Sequence, residues 1–451
     1  MVGSADGTVR VWDLATGTPL GQPLTGHTDA VYAVATTVLD GRPVAVTGSL
    51  DHTVRVWDLA TGTPVGRPLT GHTDDVYAVA TAVLEGHPVA VTGSNDHTVR
   101  VWDLATGTQV GRPLTGHTGA VYAVATTVLD GRPVAVTGST DGTVRVWDLT
   151  TGTPVGRPLT GHTGAVYAVA TTVLDGRPVA VTGSDDRTVR VWDLATGTQV
   201  GQPLTGHTGA VYAVATTVLD GRPVAVTGSD DRTVRVWDLA TGTQVGQPLT
   251  GHTGAVYAVA TTVLDGRPVA VTGSDDRTVR VWDLATGTQV GQPLTGHTGA
   301  VYAVATTVLD GRPVAVTGSD DRTVRVWDLT TGTQVGQPLT GHTGAVVAVA
   351  TTVLDGRPVA ITGSADETVR VWDLALHTCG NSADPGLGAR CGGSDIETGR
   401  RYRAGMRGGI RMCRADRLRK AVPALCLRPI ARELTVRGHH LWTIRSRDPR
   451  M

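Results

Sequence analysis

Between residues 206 and 250, apolar and polar positions alternate in four short runs bounded by turn residues, and no 3.6-residue period is visible. Residues 210–219 read as a first strand, a. Asp220-Gly221 follows, a dipeptide that tolerates the positive φ of a two-residue hairpin. Residues 223–229 read as strand b, which ends in the turn Ser229-Asp230-Asp231-Arg232. Strand c is 233–239, and the turn Ala240-Thr241-Gly242-Thr243 leads into strand d, 244–250. Pro248 has no N–H to give to a ladder, which places d on a sheet edge. The stretch therefore predicts a four-stranded antiparallel meander. Both of its faces carry apolar residues, Val234 and Val236 among them, so neighbours must cover both.

The neighbours are copies of the same word. Trp12, Trp57, Trp102, Trp147, Trp192, Trp237, Trp282, Trp327 and Trp372 stand 45 residues apart, each followed by aspartate. A Gly-His pair precedes the last eight, at His27, His72, His117, His162, His207, His252, His297 and His342. A period of this length marks a repeat architecture in which one unit cannot bury its faces alone. Radial stacking of such sheets gives an all-β fold, the β-propeller.

The Gly-His…Trp-Asp word over residues 1–374 resembles the WD-repeat β-propeller family. The near-identity of the copies is similar to that of bacterial, actinobacterial-type members. The resemblance implies a hydrogen-bonded tetrad in each blade. Its members would be His27, Thr47, Asp51 and Trp57 in the first full repeat, His207, Thr227, Asp231 and Trp237 in the fifth, and His342, Thr362, Asp366 and Trp372 in the last. A buried imidazole and a buried indole N–H both need partners, which agrees with that assignment. His, Thr and Asp also compose a nucleophilic triad on paper. Eight copies of one constellation are architecture, because a triad is defined by geometry and roles. No catalytic residue, cofactor or metal ligand is assigned.

Taken in order, residues 1–25 are the back half of a repeat and lack the basic start and apolar core of a signal peptide. Residues 26–340 make seven complete blades, and 341–374 supply strands a, b and c of an eighth. Segment 18–25 is the spare strand d that closes it. The count is eight blades, with seven, the commoner family number, as the alternative. Two near-copies of strand c, 8–14 and 368–374, compete for one slot. The short turn at 364–367 favours the second through a lower closure entropy.

Residues 375–451 are read as a separate basic tail of low order. It holds all four cysteines (Cys379, Cys391, Cys413, Cys426) and sixteen Lys and Arg against six Asp and Glu, whereas residues 1–374 carry 23 against 34. The period is gone, and disorder is the expectation. No C-x-x-C pair supports zinc, and the arginine run 400–419 lacks the aromatic interleaving of a nucleic-acid site. Abrupt loss of the repeat after Leu374 reads as a frame change in a GC-rich gene. The propeller contains no cysteine, so disulfides are not expected in it. With no apolar run of about 18 residues, the chain is expected in the cytoplasm, off the membrane, as a monomer.

Antiparallel order sets the d–a and b–c loops on one face, the one that family members commonly use for partners. By the resemblance, that face carries Tyr32, Tyr77, Tyr122, Tyr167, Tyr212, Tyr257 and Tyr302, with Val347 in the eighth slot. Beside them stands the residue before each tetrad aspartate: Leu50, Asn95, Thr140, Asp185, Asp230, Asp275, Asp320 and Ala365. The tyrosines either pack around the channel with wet hydroxyls or form a ring of amphipathic anchors. The expected function is a non-catalytic scaffold for a protein or peptide, a basic flexible segment among the candidates. The alternatives are the sensor or scaffold part of a larger signalling protein, and a lectin-like or hydrolase propeller.

Overall fold

The computed structural model describes residues 24–374, which form thirty-one strands in chain order. In the fifth blade, strand a is Val211–Leu219, b is Arg222–Ser229, c is Val234–Asp238 and d is Thr243–Gln244. They pair antiparallel in the order a-b-c-d, and the sheet recurs from the blade beginning at Val31 to the one beginning at Val301, while the blade beginning at Val346 has strands a, b and c. Blades are numbered one to eight in that order. The structure is an eight-bladed β-propeller, and the seven-blade alternative is discarded. Among the described residues no helix is long and apolar enough to cross a membrane.

Local chemistry accounts for each bend. Leu219 pairs with Arg222, so the a–b hairpin has a two-residue loop. Asp220 and Gly221 sit at φ 48° and 76°, the type I′ geometry whose twist matches that of the strands. Strand a bulges at its second residue: Val211 pairs with Ser229 and Ala213 with Gly228, which leaves Tyr212 as the extra residue. The bulge recurs in every blade.

Strand d needs correction. The seven-residue strand expected over 244–250 is a two-residue ladder plus one bridge between Val234 and Leu249. Gly246, at φ 67°, throws the chain outward, and Pro248 cannot donate a bond to pull it back. Among the described residues only blade seven keeps a longer d, Thr333–Leu339, and even there the register shifts.

The core lies between blades. Ala213, Val224, Val226, Val234 and Val236 of blade five pack against Val256, Val259, Ala270 and Trp282 of blade six. Approach is close enough that a Cβ on Gly228 would meet Val256 Cγ1 at 2.7 Å, so only glycine fits there. A threonine ladder reinforces the inner strands: Thr216 Oγ1 donates to the Thr171 carbonyl at 3.3 Å, and Thr261 Oγ1 to the Thr216 carbonyl at 3.4 Å.

The ring closes between blades eight and one in the same way. Val31, Val34, Ala45 and Trp57 share a core with Ala348, Val359, Ile361, Val369 and Val371, and Leu24 joins it. The C-terminal copy of strand c, Val369–Asp373, occupies the contested slot beside Arg357–Ser364. Residues 8–14, segment 18–23 and the basic tail 375–451, with its cysteines and arginine run, lie outside the described residues.

Candidate partner-binding face

Each blade is pinned by its tetrad at the root of the d–a and b–c loops. In blade five the Trp237 indole N–H donates to Thr227 Oγ1 at 2.9 Å, and Thr227 Oγ1 lies 2.8 Å from His207 Nε2. His207 Nδ1 lies 2.9 Å from Asp231 Oδ2. The Asp231 carboxylate can only accept, so the single proton of a neutral ring sits on Nδ1. Nε2 accepts from the Thr227 hydroxyl, which also lies 3.4 Å from the Arg235 carbonyl. The imidazole is then the Nδ1–H tautomer and donates to the carboxylate. Asp231 also accepts from the Thr208 amide and from both the amide and hydroxyl of Thr233.

Burial lowers the His207 pKa, outweighing the pull of Asp231 in the other direction, so the ring is neutral. Burial alone would raise Asp231, but the bonds from His207, Thr208 and Thr233 hold it well below the usual carboxylate range. His27, Thr47, Asp51 and Trp57 repeat this wiring, as do His342, Thr362, Asp366 and Trp372.

In blades one to seven the tyrosine is the extra residue of the strand a bulge, a feature that commonly re-aims a side chain. Tyr77 and Tyr122 have ring centroids 4.7 Å apart, and the pairs from Tyr122 through Tyr302 follow at 5.5–6.1 Å. Tyr32 meets Tyr77 edge-on at 5.9 Å. The seven rings thus form one continuous arc. Its ends, Tyr302 and Tyr32, pack with Val347. Tyr32 is buried while the other six are half-buried. Burial, then the charges of Asp320 and Asp275, push the Tyr302 hydroxyl up to about 12. Asp185, Asp275 and Asp320 are exposed on the adjoining turns, and Asp230 is partly so.

The opposite face is built from different pairs. Arg222 Nη1 donates to Asp238 Oδ2 at 2.9 Å, while Oδ1 of that aspartate caps the amides of Ala240 and Thr241.

Eight segments match the family model described as WD domain, G-beta repeat: residues 17–58, 62–103, 107–148, 152–193, 197–238, 242–283, 287–328 and 332–373. The chain belongs to the WD-repeat family. No curated protein sequence matches it. Among solved structures it is similar to the crystal structure of the computationally designed Ika8 protein, with 33% identity and a TM-score of 0.61 over 78% of this chain and 98% of that one.

This WD-repeat propeller also uses residues that the sequence reading passed over. Arg235 lies between Val234 and Val236 on strand c, and its Nη1 donates to Gln244 Oε1. Among the described residues, blades one and three carry proline in that strand d slot, at Pro64 and Pro154. In blades three and eight the guanidinium turns instead to a carbonyl: Arg145 to Gly116 at 2.7 Å and Arg370 to Gly341 at 2.6 Å. Each then lies 5.9 Å over its blade's tryptophan ring. A charge recurring once per repeat between two core valines was the available signal. Ser229 was missed too; its hydroxyl donates to the Gly209 carbonyl and accepts from the Asp231 amide.

Metal chemistry has one candidate group among the described residues. His52, Asp74 and Asp75 place their ligand atoms within 4.8 Å of one another. Much of that donor set is already engaged: Asp74 accepts from the Asp75 amide and from Asn95 Nδ2, and Asp75 Oδ2 accepts from Tyr77.

Proposed function

We propose that this chain is a non-catalytic scaffold whose tyrosine-bearing face binds a flexible basic segment of a protein or peptide. The observation that carries the reading is the unbroken arc of tyrosines beside Asp185, Asp230, Asp275 and Asp320. Aromatic rings supply contact area at little rotamer cost, and exposed carboxylates attract cations. Arg187, Arg232, Arg277 and Arg322 follow the tetrad aspartates, but exposed pairs of that kind are worth only ~0–1 kcal/mol and do not block a cationic ligand. Each blade would hold weakly and several would hold together, so avidity follows from effective concentration.

The tetrads support a structural role over a catalytic one. Thr227 is 0% exposed and His207 6%, and each polar atom is already spent on another tetrad member. A cleft of about 200 Å³ between blades two and three, lined by Val101, Val110, Arg112 and Leu149 among others, is below the usual range for a small-molecule site.

The test is a titration of an arginine-rich peptide against the full chain. Tyr212→Ala should weaken binding modestly, and Tyr167→Ala, Tyr212→Ala and Tyr257→Ala together should nearly abolish it. Added salt should weaken it throughout. Loss of binding only in opposite-face variants at Asp220 and Arg222 would place the ligand on the other face and defeat the proposal.

A further inference from the structure

A ring of equal blades gives a ligand no preferred register, because rotation by one blade reproduces every contact. Register is decided only where the blades differ. On the tyrosine face those differences concentrate in blades eight, one and two. Val347 stands in a tyrosine slot, and Ala365 and Leu50 stand where blades four to seven carry aspartate. Asp74-Asp75 replaces Gly-Ala, and His52 replaces arginine.

These departures assemble an apolar step. Ala30, Tyr32 and Val347 form its buried floor, with Leu50, Ala345, Tyr77 and Tyr302 packed against them and partly exposed. The b–c turns lie beside it: the Leu50 amide donates to the Ala30 carbonyl and the Ala365 amide to the Ala345 carbonyl, both at 2.9 Å. Carboxylates flank the step on both sides. Asp320 and Asp275 stand on the blade-seven side, near Tyr302. Asp74 and Asp75 stand on the blade-two side, where Asp75 Oδ1 is 3.7 Å from His52 Nε2. Among the described residues, Leu50 and Ala365 are the only apolar residues in the slot before a tetrad aspartate.

Given that this face binds a basic segment, the geometry points to where and how that segment is oriented. One aliphatic side chain of the ligand seats on Leu50, Ala345 and Ala365. Cationic residues on either side of it reach Asp320 and Asp275 in one direction and Asp74 and Asp75 in the other. The ligand is a basic peptide with a single aliphatic anchor, held across blades seven, eight, one and two.

Two fluorescent peptides test this against the full chain. One has a central leucine flanked on both sides by arginines, and the other has serine in its place. The leucine peptide should bind about tenfold more tightly, the gain expected from burying part of one aliphatic side chain. The double variant Leu50→Asp with Ala365→Asp introduces residues that blades four to seven already carry in the same slots, and its melting temperature is compared with the parent's because Asp29 stands where those blades have glycine. It should erase the leucine preference while serine-peptide binding stays the same or rises. Asp230→Ala, across the ring, should change the preference little. Equal binding of both peptides to the parent chain, or a leucine preference surviving in the double variant, overturns the anchor. In either case the broader reading stands if tyrosine variants still weaken binding. No binding of either peptide overturns both.

Discussion

Leu24 and Val369 form the antiparallel bridge that Leu69 and Val54 form in blade one. Leu24 is 1% exposed and belongs to the core shared by blades eight and one. The two ends of the repeat array therefore meet in one blade. Without that segment, strand c of blade eight would be an uncovered edge, and such edges recruit other chains. Deletion of residues 1–25 should lower the melting temperature and produce oligomers. Leu24→Ala should cost ~2–5 kcal/mol through the cavity it leaves. Thermal melts with size-exclusion chromatography check both, and a deletion variant as stable and monomeric as the parent would show that the ring does not depend on this strand.

The tetrads make a second set of expectations. Asp231→Ala removes the acceptor of the buried His207 N–H and should cost ~1–3 kcal/mol. Trp237→Ala opens a cavity between blades and should cost ~3–5 kcal/mol. Because the wiring is the same in blades four to six, Asp186→Ala and Asp276→Ala should give similar losses in denaturant melts. Dependence of some activity on one of these aspartates alone would contradict a purely architectural role.

These elements show which features were legible in the chain. Trp237, His207, Thr227 and Asp231 were singled out by the resemblance to the WD-repeat family, and their repeated spacing carried the assignment to every blade. Asp220-Gly221 was readable because few dipeptides accept two positive φ values. Strand d was not: Gln244 and Val245 read as a continuing strand, and only the backbone shows Gly246 leaving it. The tyrosine slots were named through the resemblance, but the bulge at Tyr212 was not legible, because alternation of apolar and polar residues does not encode an extra residue. Arg235 was hidden by the opposite error, since a charge in a strand reads as solvent-facing until its partners, Gln244 or a glycine carbonyl, are seen.

The b–c turn carries a strain that one blade has already relieved. Arg187, Arg232, Arg277 and Arg322 sit at φ 69–72°, His52 and His97 at 65° and 67°, while blade three has Gly142 at 76°. The left-handed region costs a residue with a Cβ roughly 1–2 kcal/mol, partly offset by the extra freedom glycine loses on folding. Arg232→Gly should therefore be neutral or stabilising by up to ~1 kcal/mol, and Gly142→Val should destabilise blade three. Denaturant midpoints for the two variants give the comparison. A marked loss on Arg232→Gly would mean that the arginine side chain contributes more than its backbone costs.

Acid should unfold the ring in two stages. His27, His72, His207, His252, His297 and His342 are all lowered from their ordinary value of 6.5, chiefly by burial. Below that pH the unfolded chain takes up protons that the folded imidazoles refuse, so stability falls as pH falls. Each such histidine contributes a slope of up to ~1.4 kcal/mol per pH unit. The tetrad aspartates shift in the same sense: burial raises them, but their hydrogen bonds dominate and hold them below 3.8, as at Asp51, Asp231 and Asp366. Their contribution is present above that value and is lost as the pH drops further. The melting temperature should thus decline first between about pH 6.5 and 5, on the histidines, and again below about pH 4, on the carboxylates. The first decline depends on a neutral, Nδ1-protonated ring. If the melting temperature instead stayed level from neutral pH to about pH 5, the imidazoles would be cationic in the fold, and each His–Asp contact would be an ion pair in place of the neutral relay from Trp237 through Thr227 and His207 to Asp231.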